Sequence, residues 1–173
     1  IAPSNISVNS YDPVQARAMT KKDIRDFRKW HRKAVSRSMM AEFDIIYVYA
    51  GHNLTLLMHF LSRRFNHRTD EYGGSLENRV RLFREVLEET KDLVGHKCAV
   101  AVRFAVDEIL GDQGITCKNE GREIIEMLSE LPDLWDVNIS EWENDSATSR
   151  FAKEGYQETY INFVKSVTTK PVV

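Results

Sequence analysis

Two side chains that can exchange a proton, Tyr49 and His52, lie three positions apart, and the carboxylate of Asp145 follows a later apolar segment. A phenol that loses its proton near neutral pH needs a base or a cation beside it, and His52 could supply one. The alternative is that Tyr49 only ends a half-buried strand and that His52 belongs to an ordinary loop. These residues predict acid–base chemistry if the fold brings them together.

A guanidinium and an indole occupy comparable places farther along the chain. Arg103 ends an apolar run and cannot be neutralised, so it needs an anion or an acceptor, and Asp107 could be that partner. Trp142 lies in a run of acidic and amide residues, where a tryptophan often covers a ligand. The alternative for Trp142 is that it folds back as a lid on the core.

The elements that must position these groups alternate between strand and helix. Strands are predicted for residues 44–49, 98–104 and 134–139, with a further strand beginning at 171–173, and helices for 21–41, 76–94, 121–131 and 159–167. A strand without polar alternation, such as residues 44–49, is typical of a parallel strand covered on both faces. Right-handed crossovers place all strand-to-helix loops on one edge, where the candidate residues would meet.

The arrangement of these elements favours an α/β barrel. No strand is followed by GxGxxG, so a dinucleotide-binding doubly wound sheet is less favoured than a (β/α)8 TIM barrel with parallel strands. A complete barrel takes about 250 residues, so four strands correspond to the central half of one. Because the first residue is Ile1 and the last ones read as the opening of a strand, we expect residues 1–173 to be a partial barrel domain, truncated at both ends.

Composition excludes several classes of partner. The chain has 24 Lys and Arg against 26 Asp and Glu, a net charge of -2, so neither nucleic acid nor an anionic membrane is an expected partner. Its two cysteines, Cys98 and Cys117, form no CxxC or Cys/His zinc pattern, so no metal site is predicted. With no apolar run of about 20 residues and no signal segment, a soluble cytoplasmic protein is expected.

Residues 60–79, FLSRRFNHRTDEYGGSLENR, resemble the signature segment of the old yellow enzyme family of FMN-containing (β/α)8 oxidoreductases. On physical grounds alone the segment is interpreted as structural rather than catalytic. That interpretation depends on a tight turn and a helix N-cap formed by Gly73, Gly74 and Ser75. It also depends on an ion-pair network that could form between Arg68, Asp70 and Arg79.

Four further stretches resemble the amine-dehydrogenase branch of that family, which acts on trimethylamine, dimethylamine and histamine. They are YAGH at 49–52, RF at 103–104, LWDV at 134–137 and WEND at 142–145. The resemblance implies a catalytic triad of Tyr49, His52 and Asp145. It also implies that Trp142 is one wall of an aromatic amine-binding bowl and that Arg103 lies next to the pyrimidine ring of the flavin.

The resemblance implies FMN as cofactor of the parent protein, together with a [4Fe-4S] cluster. In amine dehydrogenases a cysteine near the N-terminus attaches FMN, and a cysteine-rich segment after the barrel binds the cluster. Neither segment occurs in this chain, and Cys98 and Cys117 fit neither role, so both are expected to be ordinary thiols. The loops that bind the FMN phosphate in the family also come after Val173. The parent is expected to pass electrons to an acceptor such as an electron-transfer flavoprotein.

The most favoured function is therefore oxidation of a small alkylamine or histamine-like amine at flavin N5 by the parent protein, with the isolated chain inactive. One alternative is an NAD(P)H-dependent ene or dienoyl-CoA reductase. Such reductases usually carry His at the position of Tyr49 and a proton-donating Tyr where this chain has Leu54. The other alternative is an inert homo-oligomeric half barrel without cofactor, since open barrel edges favour self-association.

Overall fold

The computed structural model describes residues 1–8, 14–146 and 150–173, except for the side chains of Asp145 and Ser146. The strands are β1 Ile6–Val8, β2 Val14–Ala16, β3 Ile45–Ala50, β4 Ala99–Asp107 and β5 Leu134–Ile139. The helices are α1 Lys21–Met40, α2 Leu56–Leu61, α3 Leu76–Val94, α4 Glu120–Leu128, α5 Trp142–Ser146 and α6 Glu158–Ile161. Two 3₁₀ helices cover Gly111–Gln113 and Asn162–Ser166.

The centre of the structure is a parallel sheet in the order β3-β4-β5. Val172 makes an isolated parallel bridge to Trp135, so the predicted strand beginning at 171–173 lies beside β5. The strands β1 and β2 form a separate antiparallel hairpin. The predicted parallel strands are thus confirmed, with β4 extending past its predicted end at Phe104 to Asp107.

The two faces of β3 differ in burial. Ile46, Val48 and Ala50 are buried on the face that is in register with Phe104, whose ring contacts Phe83 of α3. On the opposite face Ile45 is 46% exposed and Tyr47 is 49% exposed. The prediction that this strand is covered on both faces is therefore wrong for the described residues, because they cover only the face of β3 that carries Ile46, Val48 and Ala50.

The four predicted helices begin within one residue of their predicted starts, but two of them end differently, and the short helices α2 and α5 were not predicted. Helix α4 ends at Leu128 rather than at residue 131, and the carbonyl of Ser129 instead accepts hydrogen bonds from Trp135 Nε1 at 3.0 Å and Thr168 Oγ1 at 2.7 Å. The helix predicted for 159–167 is divided between α6 and the 3₁₀ helix that follows it. Its apolar positions 161, 164 and 167 are spaced by three, which suits a 3₁₀ helix.

The segment 60–79 serves the fold, as interpreted from the sequence. Ser75 caps α3 by accepting from Asn78 N, and Gly74 has a φ of 82°. Arg68 pairs with Asp70 at 2.5 Å, but Arg79 pairs with Glu120 of α4, also at 2.5 Å. The segment therefore joins α3 to α4, and the expected single network is two separate ion pairs.

Candidate active site

A left-handed turn after β3 returns His52 to Tyr49. His52 and Asn53 have φ values of 54° and 53°, a region that non-glycine residues rarely occupy. The turn brings His52 Nδ1 into a short hydrogen bond with Tyr49 Oη, with the two rings edge to face and their centroids 6.0 Å apart. A Cβ on Gly51 would lie 2.8 Å from the Tyr49 ring, so the turn requires glycine there. The structure therefore brings Tyr49 and His52 together.

The second nitrogen of His52 contacts the end of β5. His52 Nε2 lies 3.0 Å from Nδ2 of Asn138, and both residues are buried. Sequence reasoning gave Asn138 no role. An amide near the end of the otherwise apolar sequence Val137-Asn138-Ile139 was the pattern that could have identified it.

Trp142, the first residue of α5, lies beside the same imidazole. The ring centroids of Trp142 and His52 are 6.5 Å apart with an interplanar angle of 72°, and Trp142 N donates to His52 O at 3.0 Å. The indole is 61% exposed. This exposure does not fit the alternative of a lid packed into the core, and it leaves the indole surface accessible to a ligand.

Arg103 has a different partner from the one expected. Its Nη1 donates to Asp136 Oδ2 at 3.0 Å, because the two residues lie side by side on neighbouring strands. Asp107 instead accepts from Ile109 N at 2.7 Å and Cys117 N at 2.9 Å, which shapes the loop after β4. The proposed Arg103–Asp107 pair is therefore wrong.

Arg103 also lies opposite Tyr49 in the β3–β4 register. Its side chain is 43% exposed. The phenol and the guanidinium are thus neighbours on the sheet face opposite α3.

Asp145, the carboxylate predicted to join Tyr49 and His52, belongs to α5. Its side chain lies outside the described residues, so its role stays a prediction. Only the backbone position of this residue, three positions after Trp142 in the same helix, is given by the structure.

A buried polar cluster underlies the site, and sequence reasoning missed it. Glu108, directly after β4, is fully buried and accepts from Ile115 N at 2.6 Å and Ser62 Oγ at 3.3 Å. Burial raises the pKa of this carboxyl group. Arg64 donates to Glu141 at 3.1 Å and lies 3.9 Å from Glu108. A carboxylate directly after a largely apolar strand was the sequence pattern that could have identified Glu108.

A partly open cavity of about 310 Å³ adjoins these groups. It is bordered by the β1–β2 hairpin and by residues that follow β3 and β5, including His52, Asn53, Leu54, Phe65 and Trp142. An apolar wall with an imidazole and an indole at one side is suited to a small organic molecule.

Neither cysteine belongs to a metal-binding arrangement in the described part of the chain. Cys98 and Cys117 are both buried and free. Burial, with Asp107 nearby, raises the pKa of the Cys117 thiol to about 11, so it stays protonated at neutral pH. Within residues 1–8, 14–144 and 150–173 no three His, Cys, Asp or Glu side chains converge as metal ligands would. No helix in the described ranges has both the length and the apolar character needed to cross a bilayer.

Sequence comparison links this geometry to flavin enzymes. The model of the NADH:flavin oxidoreductase / NADH oxidase family matches residues 2–173. Dimethylamine dehydrogenase of Hyphomicrobium sp. (strain x) is 36% identical over 157 residues, which is 87% of this chain and 21% of that protein. Cinnamate reductase of Clostridium sporogenes is 29% identical over 191 residues, covering 100% of this chain and 28% of that protein.

Solved structures agree with the sequence matches. The 6-hydroxypseudooxynicotine amine oxidase of Pseudomonas geniculata N1 has a TM-score of 0.94 and 51% identity, with 99% of this chain and 26% of that chain covered. Histamine dehydrogenase of Rhizobium sp. 4-9 has a TM-score of 0.91 and 46% identity, with 99% of this chain and 25% of that chain covered. An old yellow enzyme homologue of Zymomonas mobilis has a TM-score of 0.78 and 26% identity, with 99% of this chain and 49% of that chain covered. The predicted fold, part of a (β/α)8 barrel, is confirmed.

Proposed function

Because the chain belongs to the NADH:flavin oxidoreductase / NADH oxidase family, we propose that the protein carrying it is an FMN-dependent amine dehydrogenase. The substrate would be a small alkylamine or a histamine-like amine. The observation that carries the proposal is the hydrogen bond between Tyr49 and His52 beside the exposed indole of Trp142. The chain is 51% identical to an amine oxidase and 46% identical to a histamine dehydrogenase, and this similarity supports an amine rather than an enone as the substrate.

The residues present fit a flavin on the sheet face opposite α3. Arg103 exposes part of its guanidinium there, next to Tyr49 in the strand register. A flat heteroaromatic ring lying across the strand ends could receive a hydrogen bond from Arg103, which would stabilise negative charge on its pyrimidine part. When bound, FMN would supply the two-electron acceptor for the amine, taking a hydride equivalent at N5.

Trp142 would bind the amine through its exposed indole. A cation over an indole face gains about 0.5 to 2 kcal/mol, with the larger values where water is excluded. The contact of Trp142 N with His52 O holds the indole close to the imidazole. Trp142 therefore places an alkylammonium group near the groups that can change its protonation state.

Tyr49 and His52 would set that protonation state. An amine gives up hydride from its α-carbon only when its nitrogen carries a lone pair, so a group must accept the ammonium proton. We propose that the oxygen of Tyr49 accepts the ammonium proton while its own hydroxyl proton passes along the hydrogen bond to His52, with Asp145 as the third member of the triad. Water then adds to the oxidised C=N bond and releases an aldehyde and an amine.

The expected partners follow from the same proposal. Electrons leave the enzyme through a [4Fe-4S] cluster bound outside this chain and pass to an acceptor such as an electron-transfer flavoprotein. The chain spans between a fifth and three tenths of the two curated relatives described above, so this activity is proposed for the whole protein. Residues 1–173 alone are expected to be inactive, because the phosphate-binding loops of the family come after them.

The test measures dye reduction by the whole protein with small amines and with histamine. We expect amine-dependent reduction, and we expect Tyr49→Phe to lower kcat/KM by about tenfold or more, since general acid–base groups contribute at least that much. Tyr47→Phe is the matched control, because Tyr47 is on the same face of β3 but two residues from the turn. If neither the wild-type protein nor its variants oxidise any of these amines, the proposal is contradicted.

A reductase is the second candidate, favoured by the similarity to cinnamate reductase over 100% of the chain. The same protein is assayed for enone-dependent oxidation of NADPH. Oxidation of NADPH by an enone without dye reduction by an amine would assign the reductase function.

An inert oligomeric half barrel is the third candidate, and the exposed face of β3 favours it for the 173-residue chain alone. Ile45 and Tyr47 present apolar surface there that self-association would cover. We expect sedimentation at micromolar concentration to give a homodimer or a larger species, and a visible spectrum to show whether flavin is bound.

A further inference from the structure

The cavity beside Trp142 is bordered by a second imidazole, His59, which the proposed chemistry does not use. Four apolar residues of α2 are buried in the core, whereas His59 of the same helix is half-buried and borders the cavity. Its ring lies against the ring of Phe65, which borders the same cavity, with the two centroids 4.4 Å apart. The packing of these two rings holds the imidazole in place at the cavity wall.

A hydrogen bond to the backbone determines which nitrogen of His59 carries the proton. Nε2 lies 2.8 Å from the carbonyl oxygen of Asn53, and a carbonyl oxygen can only accept. Burial lowers the pKa of His59, so the ring is neutral at pH 7. A neutral imidazole has one N–H, so Nε2 carries it and Nδ1 has a lone pair.

The lone pair of Nδ1 is available to a ligand. Within the part of the chain that the structure describes, no group makes a hydrogen bond to this nitrogen. The buried side-chain atoms that lack a partner in that part are three oxygens, and Nδ1 of His59 is not among them. Nδ1 therefore reaches open space, and the cavity is the open space that His59 borders.

The rest of the cavity wall is mostly apolar. Ile6 and Ala16 of the hairpin contribute to it, together with Leu54, Phe65 and the indole of Trp142. The volume of about 310 Å³ is at the low end for small-molecule pockets, which span about 300 to 1,000 Å³. Such a wall suits one small aromatic ring, and a neutral acceptor within it favours a ring that carries an N–H or O–H group.

We propose that His59 is a specificity-determining residue whose Nδ1 accepts a hydrogen bond from an N–H or O–H group on the aromatic tail of the amine. The inference rests on the proposed function, because the amino group of the substrate would lie at Trp142, on the border of the same cavity. It narrows the substrate class from small alkylamines to amines with a donor-bearing aromatic ring. Simple methylated amines have no such tail and should be poor substrates.

The experiment compares three amines in the dye-reduction assay of the whole protein. Histamine and phenethylamine share a two-carbon linker and an aromatic ring, but only histamine has a ring N–H, and a histamine methylated on its ring nitrogen lacks it. We expect kcat/KM for histamine to exceed the other two values by about tenfold or more, because a site that hydrogen-bonds a substrate N–H rejects analogues without it. Equal values for the three amines overturn the proposal.

His59→Phe keeps a ring against Phe65 and removes the acceptor. We expect it to lower kcat/KM for histamine by about tenfold or more and to leave the value for phenethylamine nearly unchanged. His96→Phe, at an exposed histidine outside the cavity, is the matched control and should alter neither value. An unchanged preference for histamine in His59→Phe overturns the proposal. If that variant does not fold, the comparison of histamine with its methylated form decides.

Binding of the tail is also measured without turnover. Calorimetric titration of the whole protein with ethylimidazole, which is histamine without its amino group, should show binding that weakens by about tenfold or more in His59→Phe. Such binding together with failed amine turnover would contradict only the proposed function. Amine turnover without preference for a ring N–H would leave amine oxidation in place and remove His59 from substrate recognition. Failure of both turnover and tail binding contradicts both.

Discussion

The segment 60–79 and the carboxyl ends of the three strands both bury polar side chains, but only the segment gives a hydrogen-bond partner to every buried side-chain nitrogen and oxygen. Among the described residues three such atoms lack one, and all lie at the strand ends: Asn53 Oδ1, Glu108 Oε1 and Asn138 Oδ1. In the segment, by contrast, Asn66 Nδ2 donates to two carbonyls and Arg79 bonds Glu120 and Leu61 O. Equal burial therefore serves different purposes in the two regions.

Hydrogen-bond satisfaction separates structural from functional polar groups in this chain. A polar group with all its bonds made contributes to folding, and its removal is costly because the partner is left buried. A polar group with an unused acceptor contributes less to stability and can respond to a ligand or to a moving proton. Substitutions in the segment 60–79 should therefore cost more stability than substitutions at the strand ends.

The largest effect is expected for Arg79→Met. Among the described residues, the change leaves Glu120 with the exposed Arg63 as its one ion-pair partner, and it leaves the Leu61 carbonyl without its donor. Loss of one partner of a buried pair costs about 3 to 5 kcal/mol, which urea denaturation would measure. Arg81→Met, an exposed change on the same helix, should cost less than about 1 kcal/mol. Similar values for the two variants would contradict the structural role of Arg79.

The next effect compares one substitution at two asparagines. Asn66→Leu leaves the carbonyls of Phe60 and Tyr72 buried without this donor and should lower the free energy of unfolding by about 2 kcal/mol or more. Asn138→Leu loses one hydrogen bond, to His52, and should cost about 1 kcal/mol or less. Urea denaturation of both variants under one set of conditions decides. An equal or larger cost at Asn138 would remove the contrast between the regions.

A pH-dependent effect is expected for Glu108→Gln. Because burial raises the pKa of Glu108, the folded chain binds more protons than the unfolded chain above the ordinary value of 4.5. Stability from the protonated group is complete below that value and is lost as pH rises through the folded pKa. Each unit of difference between the folded and unfolded pKa corresponds to about 1.4 kcal/mol.

Urea denaturation of Glu108→Gln and of the wild-type chain at pH 4 and pH 7 measures this effect. The variant should gain relative stability at pH 7, since glutamine stays neutral. Glu123→Gln, an exposed change on α4, serves as the control, and the dependence of relative stability on pH should be larger for Glu108→Gln than for this variant. A Glu108 variant whose relative stability does not change with pH would show that burial does not raise the pKa of this carboxyl group in the folded chain.

The smallest effect on stability is expected for Trp142→Leu. With the indole 61% exposed, the free energy of unfolding should change by less than about 0.5 kcal/mol. In the whole protein, however, KM for the amine should rise at least several-fold, because the cation–π contact is lost. Trp30→Leu, at a similarly exposed tryptophan of α1, should alter neither quantity. A marked loss of stability with unchanged KM would remove Trp142 from the proposed site.

Local sequence patterns predicted the elements well, because apolar runs and caps act over a few residues. The strand predicted at 44–49 is found at Ile45–Ala50, and α1 begins at the predicted residue 21, with Thr20 as its N-cap. The pairing of Tyr49 with His52 was also predictable, since both belong to one turn.

Contacts between distant segments could not be predicted in the same way. The partner of Arg103 is set by the β4–β5 register, so Asp136, 33 positions away, replaced the nearby Asp107. The contact of Asn138 with His52 spans 86 positions and depends on the same sheet. Burial of Glu108 depends on the loop that ends at Ile115, which the sequence does not orient.

The turn after β3 has a consequence for protein design. The Tyr49 ring occupies the space that a side chain at residue 51 would need, and the left-handed backbone of His52 directs the imidazole to the phenol. Four consecutive residues, Tyr-Ala-Gly-His, therefore bring the phenol and the imidazole together, while Asn138 and Trp142 from a second segment contact the imidazole and the backbone of His52. Grafted at the carboxyl end of a strand in another parallel barrel, together with an amide at the end of a neighbouring strand, this unit should install a hydrogen-bonded phenol–imidazole pair.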